Sequence, residues 1–246
     1  MSWTEKLAMA FGPSRLLFYA VGAAVLLVGA IGTTWHSASR ADEGVLVPPP
    51  AVDQPLAAGE LQTAVLAGGC FWGVQGVFQH VKGVAQVLAG YAGGEQATAV
   101  YDVVSTGETG HAESVQIKFD PAQISYGEIL RIFFSVAHDP TELNRQGPDE
   151  GTQYRSAIFY ADPSQQRIAQ AYIDQLDHAG TFSAPIVTRV DPLKGFFAAE
   201  AYHQDFLVHN PTYPYIVFND LPKIASLKQL FPGEYREQPV TVAAMQ

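Results

Sequence analysis

Apolar and polar positions change period several times along the chain. "TAVLAGG" (63–69) is a short apolar run closed by a glycine pair, the pattern of a buried strand. In "CFWGVQGVFQHV" (70–81) Phe71, Val74, Val77, Phe78 and Val81 recur every three or four residues and predict a helix. "GVAQVLAGYAGG" (83–94) reads as a strand running into a Gly turn. "HAESVQIKFD" (111–120) alternates through Val115, Ile117 and Phe119 and reads as a strand stopped at Asp120-Pro121. "SYGEILRIFFSVAH" (125–138) predicts a helix with Ser125 as N-cap and Glu128 completing a capping box. "TQYRSAIFYAD" (152–162) is a strand, Pro163 opens a helix that Gly180 ends, and "PIVTRVD" (185–191) is a strand. "AAEAYHQDFLVHN" (198–210) predicts a short helix before Pro211. Strands alternating with helices imply a sheet with helices packed on it, α/β or α+β.

The flanks differ. Leu16 to Gly32 carries no charge and spans roughly 25 Å as a helix, slightly less than a bilayer's hydrocarbon core. Lys6 and Arg15 precede it and Arg40 follows, a bias that places the N-terminus inside. Residues 1–41 are therefore read as a membrane anchor or, with "SRA" at 39–41 as a cleavage signal, as a secretory signal. Either reading exports the remainder to the periplasm or another extracytoplasmic space. Residues 42–60, with prolines at 48, 49, 50 and 55, predict a linker, partly polyproline II. Residues 61–237 form the expected globular domain and 238–246 a flexible tail. With 48% hydrophobic residues a sizeable core is assured, and a net charge of −10 argues against nucleic acid as a partner.

The chain of 246 residues holds one cysteine, which excludes an internal disulfide and a Cys-rich zinc site. A lone cysteine is by default a small apolar core residue. Cys70, however, stands where a strand turns into a helix, and free N–H groups at a helix start favour a thiolate. Phe71 and Trp72 beside it serve equally as core residues or as walls of an apolar pocket. Glu113 opens a strand among small residues, where desolvation would raise its pKa and suit it to proton donation. Asp149, Tyr154 and their neighbours read individually as surface turn residues. A thiol hydrolase with His80, His111 or His203 as base, and a tethered binding module with an inert thiol, are the competing readings.

"GGCFWG", "TGHAESV" and "GTQYRSAIFY", in this order, resemble the A-type peptide methionine sulfoxide reductases, and the likeness runs from about Ala64 to about Tyr235 through "AEAYHQDFL". The resemblance implies an α+β fold, a two-layer sandwich of a mixed sheet with packed helices, ferredoxin-like. It implies thiol-dependent reduction of methionine S-sulfoxide, free or in proteins, through a Cys70 sulfenic acid, in the service of protein repair. By match to the motifs, Cys70 is the nucleophile, Glu113 the acid, and Tyr101 and Tyr154 phenols that bond the sulfoxide oxygen. Phe71 and Trp72 hold the methyl group, and Asp149 lies near the substrate main chain. His203 is read as structural. No metal or organic cofactor is implied. Many relatives carry recycling cysteines in a C-terminal tail, and some carry one where Ser105 stands. Both are absent here, so an external thiol, thioredoxin-like or glutathione-type, is the expected reductant.

Overall fold

The computed structural model of the chain describes residues 44–242. The uncharged run at 16–32, and with it the anchor or signal, lies outside the described residues. Strand β1 (Gln62–Gly68) leads into helix α1 (Phe71–Gln79), strand β2 (Val84–Ala92) and the short helix α2 (Tyr101–Val104). Strand β3 (Ala112–Phe119) and helix α3 (Tyr126–Ile132) follow, then the two-residue strands β4 (Arg145–Gln146) and β5 (Asp149–Glu150). Strand β6 (Ser156–Tyr160), helix α4 (Pro163–His178), strand β7 (Arg189–Pro192) and strand β8 (Phe196–Ala198) precede helices α5 (Phe206–His209) and α6 (Leu221–Leu230). The main sheet runs β7-β6-β1-β3-β2-β8. Its pairs are antiparallel except β6 with β7, which are parallel because α4 carries the chain back across the sheet. The class is α+β.

The two-residue period of the strands divides the side chains between the faces. Leu66, Val115 and Ile117 join residues of α1, α3, α4 and α6 in the main core. Val65, Ala67, Ala112 and Phe159 face the other way, under Leu193 and Phe196. Helix α4 starts as its sequence predicts: Asp162 accepts from the N–H groups of Ser164 and Gln165, and Pro163 fills the first turn. Gly180, at φ +60, follows its end.

The strand read over 152–162 is confined to Ser156–Tyr160 behind a turn at Thr152–Tyr154, and the one read over 185–191 to Arg189–Pro192. Three further segments differ from the sequence reading in attachment or path. Residues 44–59, expected as a linker, have no helix or strand but lie against the domain. Val47 is fully buried in the main core, and its N–H donates to Ser135 Oγ at 3.2 Å. Tyr172 donates to the Pro48 carbonyl, and Asp53 accepts from Ser125 Oγ and from the Gly127 N–H at 2.9 Å. The prolines hold this stretch extended while its polar groups find partners on α3 and α4, so it is a strap. The tail is attached as far as described: Val240 N–H donates to the Gln79 carbonyl, and Val242 N–H to Asp205. The helix expected over 198–210 is broken into one turn at Ala201–His203 and another at α5. Between them Gln204 exchanges hydrogen bonds with the backbone of Ala89, and Asp205 N–H donates to Gln75. These tertiary bonds draw the two residues inward and override the helical period.

Candidate active site

The glycine pair that closes β1 is required by close approach. The His138 ring lies against Gly68, where a β-carbon would stand 3.1 Å from Cγ. Gly69 has φ +88, and a β-carbon there would meet the Gln146 side chain at 2.5 Å. Cys70 follows as the N-cap of α1. The first N–H groups of a helix have no internal partner, and here the first of them is taken by a carboxyl from β3. Phe71 N–H donates to Glu113 Oε2 at 3.0 Å. The Trp72 N–H favours the thiolate of Cys70, although the Cys70 side chain makes no capping hydrogen bond. The start of α1 therefore brings the thiol and the carboxyl of β3 together.

Burial governs the charge at both. Glu113 is 3% exposed, and desolvation pushes its carboxyl up to about 8 against the opposing N–H of Phe71. The carboxyl is thus protonated at neutral pH, as a proton donor must be. Cys70 is 9% exposed, and its thiol is pushed up rather than down. Desolvation is the largest cause, followed by the charges of Glu113 and Asp220. The Trp72 N–H opposes them, and Asp149 adds a smaller push upward. The helix start does favour a thiolate, as its position suggests, but burial and three surrounding carboxyl groups outweigh it. The resting pair is a neutral thiol beside a neutral acid.

The other sequence-derived residues converge on this pair to different degrees. Tyr101 and Tyr154 are half-buried, and the charges of both Glu113 and Cys70 reach their phenols, which burial holds above the usual range. Asp149 accepts from the Tyr215 hydroxyl, and burial raises its carboxyl. Trp72 is half-buried and stacks on Phe206 at 3.8 Å, with Tyr215 edge-on at 5.9 Å. Phe71, 1% exposed, packs on Tyr91 and His203 behind the site and offers almost no surface. His203 accepts from Trp72 Nε1 at 3.1 Å and lies 4.4 Å from the Tyr101 ring, a positioning role for the two aromatics. His80 and His111 hold the carbonyls of Arg236 and Glu95. No histidine hydrogen-bonds Cys70 among the described residues.

Tyr215 and Asp220 are the additions that sequence reasoning missed. Both come from "YPYIVFND", which has no simple period. The signal there was an acid isolated in a run of aromatic and aliphatic residues.

Residues 62–234 match the family model described as peptide methionine sulfoxide reductase. A protein of Mesorhizobium japonicum called peptide methionine sulfoxide reductase MsrA 2 is 62% identical over 191 residues, covering 78% of this chain and 97% of its own. A protein of the same name from Synechocystis is 51% identical over 196 residues, 78% of this chain and 92% of its own. Among solved structures, methionine sulfoxide reductase A of Corynebacterium diphtheriae is 33% identical, covers 70% of this chain and 90% of its own, and superimposes with a TM-score of 0.55.

Proposed function

We infer the roles of the site residues from one premise: the chain belongs to the peptide methionine sulfoxide reductase A family. Its reaction is the thiol-dependent reduction of methionine S-sulfoxide to methionine, a repair of oxidised proteins. A sulfoxide oxygen leaves sulfur only when protonated or strongly hydrogen-bonded. In our reading the oxygen enters between Glu113 and the phenols of Tyr101 and Tyr154, and the methyl group lies against Trp72. Glu113 delivers its proton to the oxygen and recovers one from the Cys70 thiol, and the sulfur of Cys70 attacks. Oxygen passes to Cys70, methionine departs, and the balance is thiol plus sulfoxide giving sulfenic acid plus thioether. Asp149, fixed by Tyr215, faces the main chain of the substrate.

The observation that carries this reading is the buried Glu113 carboxyl, raised to about 8 and held by the Phe71 N–H at the helix start that Cys70 caps. It supports a nucleophile and a protonated acid acting on one small oxygen site. Turnover of the separate S and R sulfoxides with dithiothreitol tests it: the S form should be reduced, and Cys70→Ser should abolish the reaction. Turnover retained in that variant would remove the reductase reading.

Two further elements complete the proposal. With Cys70 as the chain's single cysteine, the sulfenic acid is resolved by an external thiol, either a thioredoxin-like dithiol protein or a small thiol such as glutathione. The uncharged run at 16–32, preceded by Lys6 and Arg15, supports an exported domain, anchored in the membrane or released after cleavage.

A further inference from the structure

The reaction above gives no task to Asp220. This residue is fully buried on the turn that leads into α6. Its Oδ1 lies 3.3 Å from Lys223 Nζ, whereas Oδ2 has no hydrogen-bond partner among the described residues. A buried polar atom left unpaired costs about 1–3 kcal/mol, and more when charged. Such an atom persists where a partner arrives during function. The place of the carboxylate is also specific. A β-carbon on Gly73 would stand 2.0 Å from Oδ1 and 2.7 Å from Cγ. Asp220 thus fills the space that a side chain would take at the third residue of α1, in the turn that Cys70 caps. Its charge reaches the sulfur strongly enough to rank among the main influences on the thiol.

We propose that Asp220 is a catalytic residue of the second half of the cycle: a proton held on Oδ2 is donated to the oxygen of the Cys70 sulfenic acid, that oxygen leaves as water, and Lys223 restores the proton to Asp220. The sulfenic acid itself comes from the reductase reading. Asp220 is fully buried whereas Cys70 keeps a small exposed surface, so the oxygen is drawn inward and the incoming thiol comes from the solvent side. An incoming thiol loses its proton to bulk water and attacks there, in line with the S–O bond. The S–S bond forms, the S–O bond breaks, and the departing hydroxide takes the Oδ2 proton of Asp220, which Lys223 replaces. The Lys223 side chain is 20% exposed and regains that proton from solvent. The balance is sulfenic acid plus thiol giving mixed disulfide plus water, with sulfur of the sulfenic acid reduced and the thiol oxidised. A second thiol then releases Cys70.

The test generates the sulfenic acid with one equivalent of hydrogen peroxide, so that it does not depend on any sulfoxide substrate. Its loss on mixing with dithiothreitol is followed by mass spectrometry and a sulfenate trap. In Asp220→Asn the resolution rate, divided by the rate of the single-turnover methionine burst, should fall roughly 10²-fold, the size of a lost acid–base group. Gly73→Ala should lower the same ratio, because its methyl displaces a chemically intact carboxylate. Equal slowing of both steps, or no change in the ratio in either variant, overturns the proposal. If wild type makes no methionine from the S sulfoxide, the reductase reading fails by a separate signature, and the resolution rate of the peroxide-generated sulfenic acid, taken directly as variant against wild type, still reports on Asp220.

Discussion

Glu113 joins the site's chemistry to its cost. A carboxyl held at about 8 donates a proton at neutral pH and loses that ability above it, so the rate of sulfenic acid formation should fall as pH rises through 8. Glu113→Gln should slow that step by ~10²–10⁴-fold and flatten this limb of the profile. An unchanged single-turnover rate would move the acid role to Tyr101 or Tyr154. The stability effect has a definite sign. The folded carboxyl binds its proton more tightly than the unfolded one, so stability is full below the ordinary carboxyl value of 4.5, falls as pH climbs to about 8 and is level beyond. Glu113→Gln removes this loss, and its melting temperature relative to wild type should be higher at pH 8.5 than at pH 4. Cys70 and Glu113 were legible in the sequence because each sits in a short local motif. The direction of the thiol shift was not, because Glu113, Asp149 and Asp220 reach Cys70 from segments far apart in the chain.

At the scale of elements, local signals were read correctly where a strand or helix satisfies its own hydrogen bonds. The capped start of α4 and the alternation in β3 are of this kind. The reading failed where partners are remote. Gln204 and Asp205 bond residues of α1 and β2 across the fold and interrupt a helical pattern. The strap at 44–59 looked like a spacer because proline content reports backbone shape and not attachment. Its docking has a measurable consequence. Val47 is fully buried, its N–H bonds Ser135, and Arg131 Nε donates to its carbonyl at 3.1 Å. Val47→Ala removes two buried methyl groups and should destabilise the domain by about 2 kcal/mol in denaturant unfolding. A free linker would show no change. Asp53→Ala should add to that loss, since Asp53 accepts from both Ser125 and Gly127 at the start of α3.

For the whole molecule, compartment and redox arithmetic meet. If the run at 16–32 anchors or exports the chain, protease added to spheroplasts should digest the domain, and protection until lysis would reverse that topology. An exported reductase draws electrons from outside the cytoplasm, and its own sequence supplies none beyond Cys70. A chain with a second reactive cysteine would resolve its sulfenic acid as an internal disulfide. Here a single cysteine, 9% exposed and under the charges of Glu113 and Asp220, must stop at the sulfenic acid until another thiol arrives. Without reductant, each protein should therefore form one equivalent of methionine, and Cys70 should gain the mass of one oxygen. Addition of a dithiol restarts the cycle through a mixed disulfide on Cys70. Methionine well above one equivalent with no added thiol, and no disulfide between chains, would show that another group closes the cycle.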